Sequence, residues 1–144
     1  MKNSKFIFIA SLASAIVIFS FGSCVTTTRF ATSAITPAAE GTIKVKKDAN
    51  KNYVIKIQIS NLAESSRLTP PSNAYVVWLV TNDNMTKNVG QIKSSTGFLS
   101  KSLNATFETV STLKPIKIFI TAENDASVQY PLSSDFILTT EYMK

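Results

Sequence analysis

The feature that most constrains this chain is the two-residue hydrophobic period that begins after Glu40. Thr42-Ile43-Lys44-Val45-Lys46 alternates apolar and charged residues. So does Tyr53–Leu62 (YVIKIQISNL), with Tyr53, Ile55, Ile57 and Ile59 on one side and Lys56, Gln58 and Ser60 on the other. Successive side chains of a strand point to opposite faces, so this pattern specifies strands with one dry and one wet face. The polar run Asp48-Ala49-Asn50-Lys51-Asn52 between them is turn material, and the two strands read as a hairpin. A helix of the same length would show a period near 3.6, which neither segment has.

The next segment differs. Ala74–Thr81 (AYVVWLVT) is apolar on both faces, with Tyr75, Val77 and Leu79 on one and Val76, Trp78 and Val80 on the other. Such a strand must be covered on both sides, which places it at the centre of a sheet. Before it, Ala63–Asn73 is a long turn containing Pro70-Pro71, which stop any strand ladder. Further short strands follow: Val89–Lys93; Phe98–Leu103 with Ala105–Val110, as one bent strand or two; Ile116–Ala122; and a last strand within Asp135–Tyr142. Seven or eight strands at regular spacing, with turn signals between them and no helical period, specify an all-β fold. The expectation is an immunoglobulin-like antiparallel β-sandwich over residues 40–144, with a small closed barrel as the alternative. The expected core walls are Ile55, Ile57, Val77, Trp78, Leu79, Phe107, Ile118 and Ile120. About 100 residues suffice for one core without a disulfide, and the single cysteine excludes an internal one.

The N-terminus obeys other rules. Lys2 and Lys5 precede an apolar run of 16 residues, Phe6–Phe21. A membrane-spanning helix needs about 20, so the run suits the hydrophobic region of a signal peptide, here residues 1–23. It ends in Phe21-Gly22-Ser23-Cys24. Two small residues directly before a cysteine resemble the lipobox of bacterial lipoproteins, with Phe21 standing where Leu is usual. The resemblance implies cleavage before Cys24 and acylation of its thiol and its freed amine. Each buried CH₂ contributes about 0.8 kcal/mol, so two or three long chains anchor far more firmly than one. Loss of Lys2 and Lys5 lowers the net charge from +6 to +4. Residues 24–39 then comprise the lipidated cysteine and a Thr/Ser/Ala-rich flexible tether. In the alternative, Phe30 and Ile35 dock on the domain as an irregular first strand.

The order of features from Tyr75 to Ile137 resembles the extracytoplasmic β-sandwich domain of anti-sigma-K-type factors. The matching positions are Tyr75, Trp78, Leu79, Gly90, Thr121, Glu123 and Pro131. The resemblance supports the fold and an extracytoplasmic location. It does not carry over sigma-factor binding, because a lipobox stands where those factors have a sigma-binding domain and a membrane helix. The chain as a whole is similar to short lipoproteins of Bacteroidota-like bacteria. Val25-Thr26-Thr27-Thr28 has neither the acidic run of their surface-exported lipoproteins nor an aspartate at position 25. By resemblance, this implies an outer-membrane anchor facing the periplasm of a Gram-negative cell.

Signs of catalysis are few. The chain lacks histidine, which excludes Ser-His and Cys-His pairs and His-based metal sites. Glu123 and Asp125 share a loop with Asn124, and Asp83 lies between Asn82 and Asn84. Such oxygens can hold a hard cation or do acid–base work, but Asp and Asn are also ordinary turn formers. Ser100-Lys101-Ser102 is a formal Ser-Lys pair whose neighbours would face opposite sides of a strand. Lys44, Lys46, Lys51 and Lys56 share the wet face of the first hairpin. They can protect a sheet edge against aggregation or approach anionic lipid or polysaccharide. The aromatics sit in apolar strands, not interleaved with basic residues as in nucleic-acid-binding grooves. The expected function is a non-enzymatic envelope lipoprotein, with no cofactor and no metal. It would hold membrane lipid through acylated Cys24 and present a binding or assembly module to an envelope protein or glycan. An accessory regulator of envelope signalling is the alternative, and a small carboxylate-based glycan hydrolase a remote one.

Overall fold

The computed structural model describes residues 24–92, 95–96 and 103–144. Over these residues the chain forms nine strands and one 3-10 turn, Ser65–Arg67, with no α-helix. The strands are β1 (Val25–Arg29), β2 (Glu40–Lys47), β3 (Tyr53–Ser60), β4 (Ala74–Thr81), β5 (Thr86–Ile92), β6 (Ser95–Thr96), β7 (Leu103–Ser111), β8 (Pro115–Glu123) and β9 (Leu138–Thr139). One sheet has the order β1-β2-β3-β7-β6 and the other β5-β4-β8-β9. Every pairing is antiparallel.

The fold is a β-sandwich. Within it, β2-β3-β7-β6 and β9-β8-β4-β5 reproduce the A-B-E-D and G-F-C-C′ orders of an immunoglobulin-like domain, and β1 is an added strand at the edge. The hairpin expected from the alternating pattern is β2–β3, with Ile43 opposite Ile57 and Val45 opposite Ile55. Asp48 shapes its turn: the carboxylate accepts the backbone N–H groups of Asn50 and Asn52 at 2.8 and 2.9 Å.

The space between the sheets is filled from both. Ile43, Ile55, Ile57 and Ile59 come from one, and Tyr75, Val77, Leu79, Ile118 and Ile120 from the other. Phe107 packs against this core while half-buried. Its ring leaves no room at Gly90, where an added Cβ would lie 3.0 Å from the ring and where φ is +134°. Gly90 therefore meets two demands, a close approach and a backbone conformation that disfavours side chains.

Two expectations need correction. Trp78 is fully buried, but it does not lie between the sheets. It belongs with Val76 and Phe119 to a second cluster on the outer face of β4 and β8, under Ala126 and Val128. The two faces of β4 are both covered, as its composition requires; the outer cover is the β8–β9 connection.

The second correction concerns residues 25–39. These form no free tether. Val25–Arg29 pairs with β2 from Val25↔Lys46 to Arg29↔Thr42. Phe30 then donates its backbone N–H to Gly41, and Ala31 donates to Thr139 of the other sheet at 2.8 Å. The chain thus crosses from the edge of one sheet to the edge of the other and closes that side of the sandwich. The Ser33 hydroxyl accepts the N–H of Thr36 at 2.9 Å, and Ser33, Thr36 and Ala39 are buried. Gly41 admits the Phe30 ring, since a Cβ there would lie 2.7 Å from it. Gly41→Val is therefore expected to expel Phe30 at a cost of about 1–3 kcal/mol. Amide exchange at Phe30 and Ala31 should accelerate while that of β4 and β8 holds; unchanged exchange at Phe30 and Ala31 would contradict the docking.

Candidate functional site

The residue that the sequence singles out for a chemical role is Cys24. It is exposed and immediately precedes β1, so its backbone continues directly into a strand hydrogen-bonded along β2. Val25 lies opposite Lys46. The β2–β3 turn and the end of β7 meet at the same end of the sheet, where Tyr53 pairs with Lys47 and Ser111. Phe21, Gly22 and Ser23, the expected cleavage motif, lie outside the described residues, as do Ser100, Lys101 and Ser102.

The structure separates the carboxylates singled out in the sequence. Glu123 is buried at the end of β8. The Trp78 indole N–H donates to the Thr121 hydroxyl at 2.8 Å, and that hydroxyl donates to Glu123 Oε1 at 2.7 Å. The same oxygen accepts the backbone N–H of Leu132 at 3.2 Å. Thr121 and Glu123 are two residues apart on β8 and share its outer face, which is why both reach the Trp78 side. The chain Trp78–Thr121–Glu123–Leu132 ties the covering connection to the sheet. Asn88 reinforces it by donating to the carbonyls of Ala126 and Val128 at 2.9 and 2.8 Å.

Asp125 points the other way. It is exposed on the connection and accepts the Ser127 backbone N–H at 2.8 Å and the Ser127 hydroxyl at 2.7 Å. These two bonds hold its carboxyl below the usual carboxylate range. Asp83 does similar work in the β4–β5 turn. Its carboxylate accepts the Thr81 hydroxyl, which lowers its pKa, and a weaker bond from the Met85 N–H. Both are turn-stabilising aspartates. Among the described residues, no three His, Cys, Asp or Glu side chains gather where a metal ion could be held. The phenol of Tyr75 points out of the core to donate to the Ala63 carbonyl at 2.8 Å, and burial pushes its pKa up to about 12.

An open groove of about 810 Å³ runs between β5 and the β8–β9 connection, lined by Met85, Lys87, Asn88, Gly90 and Tyr130 among others. The lysines of the first hairpin lie elsewhere. Lys44, Lys46 and Lys56 share the outer face of the β2–β3 pair, and Lys56 forms an exposed ion pair with Glu108 at 3.1 Å. Edge protection does not describe Lys44 and Lys46. Their strand has a neighbour on each side, and the edge is β1.

Sequence reasoning missed the Trp78–Thr121–Glu123 chain. The available signal was a buried tryptophan, whose N–H needs an acceptor, near a strand ending Thr-Ala-Glu. No family model, curated protein or solved structure matches the chain. Thr121→Val keeps the shape and removes the hydroxyl, leaving the Trp78 N–H and Glu123 each short of a partner. The expected cost is about 1–3 kcal/mol for the buried Trp78 N–H left without an acceptor, read as a lower urea midpoint; an unchanged midpoint would contradict the structural role.

Proposed function

We propose that this chain is a bacterial envelope lipoprotein, anchored by acyl chains on Cys24, whose β-sandwich is a non-enzymatic binding or assembly module. The observation that carries the reading is the position of the sole cysteine. It follows an apolar run and two small residues, and it is the exposed residue just before the first strand. A thiol at the boundary between export segment and folded domain can be acylated without disturbing the core. The non-enzymatic part is supported by the absence of histidine and by the employment of Glu123, Asp125 and Asp83 in holding loops. By resemblance, the anchor is in the outer membrane of a Gram-negative cell, with the domain in the periplasm.

The anchor and the docking of β1 together have a geometric consequence. Fifteen free residues after Cys24 would span on the order of 50 Å when extended. With Val25 already paired to Lys46, an acylated Cys24 holds one end of the sandwich at the bilayer. In cells fed an alkyne fatty acid, the wild-type protein is expected to take up label and to fractionate with membranes. Cys24→Ala should abolish the label, and labelling that persists in the variant would refute acylation at this site.

A further inference from the structure

The outer face of the five-stranded sheet has an unusual composition at its Cys24 end. Directly opposed residues of antiparallel strands share a face. Val25 opposes Lys46, Lys46 opposes Val54, and Val54 opposes Val110. One row crossing four strands is therefore Val25–Lys46–Val54–Val110. Adjacent strands are about 4.8 Å apart, so the row is about 14 Å long. Val25 and Val110 are 49% and 57% exposed, and Val54 is half-buried. The next row is Thr27–Lys44–Lys56–Glu108, in which Glu108 is satisfied by Lys56 and Lys44 is left in excess. The β2–β3 turn at the same end adds Lys51, whose φ of +67° places it at the bend; the acid there, Asp48, is occupied by backbone N–H groups of its own turn.

We propose that this valine–lysine band is a membrane-docking surface that rests on anionic phospholipid headgroups. Three observations converge. The exposed valines supply apolar contact at the depth of the headgroups, and Lys44, Lys46 and Lys51 supply cations beside them. β2 is an interior strand, so its lysines do not guard an edge. The band begins at the residue next to Cys24, so an anchor there holds the band close to the bilayer. The proposal rests on the anchor reading for its orientation, but the surface has its own chemistry and can be tested apart from it.

The test uses the protein purified from membranes in detergent and reconstituted into phosphatidylcholine vesicles with or without phosphatidylglycerol. Lysine acetylation is read residue by residue by mass spectrometry, with Lys87 on the other sheet as the internal control. Lys44, Lys46 and Lys51 should label about fivefold more slowly on the anionic vesicles, with the protection of all three removed by high salt and that of Lys51 also removed in the Lys44→Gln/Lys46→Gln double variant. Equal labelling on both vesicle types overturns the proposal. So does the same protection in neutral detergent alone, where no anionic headgroup is present. The intact mass of the same sample reports acylation of Cys24 separately. If the thiol is unmodified, the anchor reading fails. Sedimentation with phosphatidylglycerol vesicles, lost in the double variant, then still decides the surface.

Discussion

The structure depends on the need of β4 to be dry on both faces. Tyr75, Val77 and Leu79 require one cover, and Val76 and Trp78 require another. The first is supplied by the facing sheet through Ile43, Ile55, Ile57 and Ile59. The second must come from a segment that is not a strand of either sheet, and the β8–β9 connection fills that place. A connection of polar composition covers an apolar face only if its backbone groups are satisfied. The chain from Trp78 through Thr121 to Glu123 and Leu132 answers this, with Asn88 holding two further carbonyls. Stacking of Trp78 on Phe119, with centroids 6.2 Å apart, completes the cluster.

The same reasoning shows how far the sequence could be read. β2, β3, β4 and β8 were legible because burial imposes period two on strands with one wet face and continuous apolarity on a strand with none. β1 was not. Val25-Thr26-Thr27-Thr28-Arg29 is an edge strand with little burial, so it carries no hydrophobic period. Its β-branched residues were the remaining signal. The burial of Trp78 was foreseeable and its side was not, because a strand apolar on both faces does not say which face meets the other sheet. Glu123 read as a loop acid because its burial depends on the β8–β9 connection folding back over the sheet, where the Leu132 N–H meets its carboxylate.

The sequence points to a function at one residue only, and there it remains a proposal. Cys24 stands out by being alone and by what precedes it, whereas the carboxylates dissolve into turn and clasp roles once their partners are known. The lysines changed meaning through topology. With β1 outside β2, Lys44 and Lys46 lie on an interior strand, and Lys46 shares a row with Val25, Val54 and Val110 that starts next to the proposed anchor.

The central claim is that the sandwich begins at Val25, so that a lipid on Cys24 holds it against the bilayer without slack. Trp78 is the sole tryptophan and reports this distance directly. Energy transfer from Trp78 to a headgroup-attached acceptor would be measured for the protein reconstituted in neutral phosphatidylcholine vesicles, where the lysine band gains no electrostatic hold. A variant with a flexible Gly/Ser insert between Cys24 and Val25 provides the comparison. The account predicts strong transfer for the native chain and a clear loss on insertion. Transfer that is weak in the native chain and unchanged by the insert would contradict it.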